Sequence, residues 1–168
     1  TRAMNLSGQG WQEPAGYLGA IRFGANGVTQ SGGLTLTGNA RLCAYGTSAT
    51  VSGNISGNYE LESWQGNNGL LYLSGNNTFR NLNLTGWWLY MNNTLSSGRG
   101  TIMFNGGGMS AYGTAVTFTN NVSVLGDENT GYRTENLATT FTGDWNLTGQ
   151  ARNWYVYNST IISGSISI

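Results

Sequence analysis

The chain has 168 residues, 27 of them glycine, and only 8% are charged, with seven arginines balanced by seven acids and neither lysine nor histidine. A net charge of zero argues against nucleic-acid binding, which relies on a basic surface to displace counterions. The lack of histidine removes the commonest general base and metal ligand, and a single cysteine, Cys43, excludes an internal disulfide or a thiolate zinc site.

The chain opens with an alternating apolar pair, Met4 and Leu6, closed by Gly8. Similar pieces then follow one another: LTLT at 34–37, GLLYLS at 69–74, Leu82/Leu84, WWLYM at 87–91, Ile102/Phe104, Trp154/Val156 and IISGSISI at 161–168. Period-two alternation in short runs, separated by glycine and asparagine, predicts strand, turn and strand again, with essentially no helix. Val51, Ile55, Leu71, Leu73, Leu82, Leu84, Ile102 and Phe104 are the expected inward set. No run of 18 apolar residues occurs, so no membrane span is expected. A chain starting at Thr1 reads as a processed product or a piece of a longer one.

The arginines set a beat. Arg2, Arg22, Arg41, Arg80, Arg99, Arg133 and Arg152 fall at intervals of about 19 residues or twice that, with Glu60 at one vacant beat. Most beats follow an apolar residue, a small residue and glycine, as in LTGNAR (36–41), ISGNYE (55–60), LSSGR (95–99) and LTGQAR (147–152). A unit this short suits one circuit of a β-helix, whose equivalent strands stack in parallel about 4.8 Å apart. The expectation is one all-β domain over 1–168: a right-handed parallel β-helix of about nine 19-residue coils, with asparagines stacked as hydrogen-bonded ladders. The arginines would then form a ladder along one edge of the rod.

The segment 55–94, with ISGNYELE (55–62) followed by GLLYLSGNNTF (69–79), resembles the autotransporter-associated β-strand repeat of bacterial surface proteins. The resemblance implies a right-handed β-helix, export to the cell surface and no cofactor. The family's Thr/Val-rich strand after the NNT turn is replaced here by WWLYM.

Two constellations bear on chemistry. Asp127 and Asp144 lie near one coil apart and are the only carboxylate pair suited to glycan cleavage; both also sit beside glycines as ordinary turn residues. Alternation puts Trp88 and Tyr90 on the face opposite Leu89 and Met91, and Tyr155 and Tyr157 opposite Trp154 and Val156. These rings are candidate contacts for glycans or a partner, unless a loop or a neighbouring chain covers them. The leading expectation is a non-enzymatic structural or adhesive rod, extracellular or on the bacterial surface. Its open coils would pair with copies of itself or with flanking repeats. The alternative is a glycan-binding or polysaccharide-cleaving β-helix module.

Overall fold

A computed structural model of the chain describes residues 2–125, 137–147 and 159–168. Among these residues there is no helix; every regular element is a strand, and all pairings but one are parallel. The longest sheet runs through Met4–Gly8, Leu34–Tyr45, Glu60–Gly66, Asn81–Leu84, Ile102–Phe104, Val122–Val124, Trp145–Asn146 and Ile166–Ser167. A second stacks Val28–Gln30, Ser48–Val51, Leu70–Leu73, Trp88–Met91 and Gly108–Ala111. A third, Val116–Phe118, Thr139–Phe141 and Thr160–Ile162, forms a side only in the later coils. Strands adjacent in sequence thus fall in different sheets, and each pairs with its equivalent one circuit later. That arrangement is a β-solenoid of about six turns.

The nine coils expected from the arginine beat are corrected by the strand registers. Arg41 lies opposite Glu62, Leu82 opposite Ile102 and Val122 opposite Trp145, which are circuits of 21, 20 and 23 residues. Coils longer than 19 residues, together with a first circuit of 30 from Met4 to Leu34, give fewer turns from the same chain. The motif spacing overcounts the turns because the arginines and the glycine turns drift along the circuit instead of keeping one place on it.

The core is a set of ladders. Ala40, Leu61, Leu82, Ile102, Val122 and Trp145 follow one another along the axis, all buried. Across from them run Ala49, Leu71, Leu89 and Met109, and beside these Val51, Leu73, Met91 and Ala111. All eight residues expected to point inward are buried. Towards the last coils the ladders turn aromatic: Phe118 meets Phe141 at 5.5 Å between ring centroids, and Phe141 meets the edge of Trp145 at 5.1 Å. Polar pairs interrupt the core: the Gln65 amide donates to the Ser63 hydroxyl at 2.6 Å, and the Ser97 hydroxyl to the Asn120 side-chain oxygen at 2.7 Å.

Asparagine ladders hold the corners. The side-chain oxygens of Asn39, Asn81 and Asn121 accept the backbone N–H of Glu60, Thr101 and Asp144 in the next coil at 3.1, 3.2 and 3.1 Å. Asp144 then accepts from the Ser165 N–H at 3.0 Å. Each of these residues immediately precedes a core position, where the chain bends into the strand and its amide faces along the axis. A short side-chain acceptor satisfies that amide better than water at a crowded corner. Asn77 and Asn120 do the same inside the coil, the first accepting from the Ile55 N–H and the second donating to the Gly100 carbonyl.

Candidate functional site: an aromatic flank

The corner between the first two sheets brings several tryptophan rings together at the surface. In the strand Trp88–Met91, Leu89 and Met91 face the core, which turns Trp88 and Tyr90 outward as alternation predicts. Trp87 precedes the strand, at the Gly86 corner, and is released from the alternation that would have buried it with Leu89. It is 52% exposed. Trp64, at the outer face of the preceding coil, stands across from it.

Trp64, Trp87 and Trp88 wall a groove of about 520 Å³ whose floor is backbone: Gly66, Gly86 and the run Gly106–Gly108. The glycines are required there. A Cβ on Gly86 would stand 2.5 Å from the Gln65 nitrogen, and one on Gly107 would overlap the Gly86 carbonyl. Successive coils therefore approach at this corner more closely than any side chain permits. The register places Gly108 directly after Trp88, so the column that carries a ring in one coil carries none in the next.

Charge near the groove is already neutralised. The Arg41 guanidinium lies 5.8 Å from the Trp64 ring centroid, and the carboxylate of Glu62 takes it through Nε at 2.8 Å and Nη2 at 2.7 Å. The Glu62 carboxylate also accepts from the Thr85 hydroxyl at 2.7 Å. Burial pushes the Glu62 carboxyl up, but the hydrogen bonds from Arg41 and Thr85 outweigh it and leave it below the usual range.

Further along the second sheet, Tyr72, Tyr90 and Tyr112 make a cluster: Tyr72 stacks on Tyr90 at 5.0 Å and meets Tyr112 edge-on at 4.9 Å. Tyr90, a candidate contact from sequence, is only 8% exposed because the other two flank it. Tyr112 is the exposed member, at 54%. Sequence reasoning missed Trp64, Trp87, Tyr72 and Tyr112 as surface rings. Their exposure depends on what the neighbouring coils place beside them, and that requires the register.

The arginines part company. Arg22 lies opposite Cys43 and pairs with Glu13, whereas Arg41 lies opposite Glu62. Arg80 and Arg99 do adjoin, lining one shallow hollow in successive coils, and Arg2 is exposed near the start of the rod. Arg133, Arg152, Tyr155, Tyr157 and Asp127 lie outside the described residues. Asp144 holds the Ser165 amide, the role of a turn residue. Cys43 is fully buried, and burial pushes its thiol up to about 11. No family model, curated protein or solved structure matches the chain.

Proposed function

We propose that the chain is a non-enzymatic, adhesive and structural rod of the bacterial surface, built as a right-handed β-helix of the autotransporter-associated repeat type. Right-handed crossovers are the strong rule for parallel strands in one sheet, which supports the hand. The observation that carries the reading is the unbroken column from Ala40 through Leu61, Leu82, Ile102, Val122 and Trp145 to Ile166. It supports a body built coil on coil along one axis. The scarcity of charge and the resemblance of 55–94 support a surface location.

Ile161 and Ile166 in the last strands are more than half exposed, which suits pairing with a further coil, either of the same protein or of a second copy. Negative-stain imaging of the purified chain tests the reading. Thin rods or end-to-end filaments, lengthening with concentration, are expected. Compact, isodiametric particles at every concentration would refute it.

A further inference from the structure

The groove between Trp64 and Trp87 is a place where a ligand of definite chemistry fits. A ring more than half exposed carries a hydration cost that folding leaves uncollected, and here two coils contribute rings to one concavity. From this we infer that the groove binds an uncharged glycan, a pyranose ring stacking on the exposed Trp87 and resting against the edge of Trp64, whose face Tyr45 covers. The inference deepens the adhesive reading and rests on it, by naming what the rod adheres to.

Three features select that class. The first is shape. The groove's 520 Å³ falls within the range of small-ligand sites, whereas a stable protein partner needs a face of about 800 Å². The second is the floor, where glycine backbone without side chains lets a flat ring approach and offers peptide groups to hydroxyls. The third is charge. Nucleotides and acidic glycans also meet aromatic rings, but their anionic groups need a free cation. The guanidinium beside Trp64 is already bound by both oxygens of Glu62. A neutral sugar needs none: its C–H face lies on the ring while its equatorial hydroxyls point to the groove floor, wall and mouth. Thr85, whose proton is given to Glu62, keeps its oxygen lone pairs at the groove wall for a sugar hydroxyl.

The test titrates the purified chain with cellohexaose, chitohexaose, laminarihexaose and maltohexaose, following tryptophan fluorescence, with polygalacturonate as the anionic comparison. At least one neutral hexasaccharide is expected to bind with a sub-millimolar Kd. Trp87→Ala should weaken it at least tenfold, and Tyr112→Ala should change it less than twofold. Trp87 is exposed enough for its removal to leave the fold intact, which circular dichroism verifies. Binding by none of the four, equal binding by Trp87→Ala, or tighter binding of polygalacturonate would each overturn the inference. Coated beads separate it from the wider reading. If wild type and Trp87→Ala adhere equally to cultured mammalian cells and neither binds the saccharides, the groove is refuted and the adhesive rod stands. If the saccharides bind and neither protein adheres, the adhesive reading falls and the site remains.

Discussion

Replacing Leu84 with aspartate puts a carboxylate into the centre of the ladder core. Leu84 is 1% exposed, with Ser63 opposite it in one neighbouring coil and Phe104 in the other. Burial raises a carboxyl's pKa by about 3–5 units, from about 3.9 to about 7–9. The folded state then holds its proton where the unfolded state has lost it, so the penalty is absent below pH about 4 and grows until the folded pKa is passed. At pH 7 the difference of about 3 units is worth about 4 kcal/mol. Losing the leucine's apolar area adds about 2 kcal/mol. The Ser63 hydroxyl accepts the Gln65 amide and has its own proton to give, which returns about 1 kcal/mol. The net loss, about 5 kcal/mol, equals the whole stability of a marginal domain. Leu84→Ala, which shares the packing loss, is the control. In urea melts at pH 4.5 and pH 7, the gap between the two variants should widen by about 3 kcal/mol at the higher pH. A constant gap, or wild-type stability for Leu84→Asp, would refute the inward placement of this ladder.

Glu62 has the opposite sign: its folded pKa is depressed, so its contribution is complete above its ordinary value of 4.5 and lost as pH falls through the folded value. Wild type should lose more stability than Glu62→Gln on acidification from pH 5 to pH 2.5, by chemical denaturation at each pH. Equal slopes would show that the Arg41 pair is idle. For Cys43, a buried thiol near 11 predicts that iodoacetamide at pH 8 modifies the native chain at least a hundredfold more slowly than the chain in guanidinium. Rates within tenfold, read by mass spectrometry, would place the thiol at the surface.

The inward set was legible because period-two alternation is a backbone property: once Leu82 and Leu84 are in one strand, both face the same way. The asparagine ladders were legible for a similar reason, since short polar side chains recur beside tight corners. The coil count was not. Strands of three or four residues leave corners free to vary, and the circuit from Val122 to Trp145 is three residues longer than the one before it. Each such change moves a motif relative to its neighbours, which is why Arg22 faces Cys43 and Arg41 faces Glu62 rather than each other. The aromatic site was half legible. WWLYM announced outward rings, but the partner from the coil before, Trp64, and the bare glycines of the coil after are joined to it only by register.

The pairing of each coil with the next has a mechanical consequence. Because the strand contacts of the later coils join residues about one circuit apart, no strand pairing among the described residues ties one end of the molecule to the other. A load applied along the axis is shared at each interface by all the hydrogen bonds linking two coils, as in a seam pulled open across its width. Yielding then proceeds from an end, one circuit at a time. Each released coil of 20 to 23 residues pays out roughly 70 Å of slack chain before the next interface takes the strain. A solenoid built in this way lengthens in steps of about one circuit under load and can rewind when the load drops, because each coil is a template for the next.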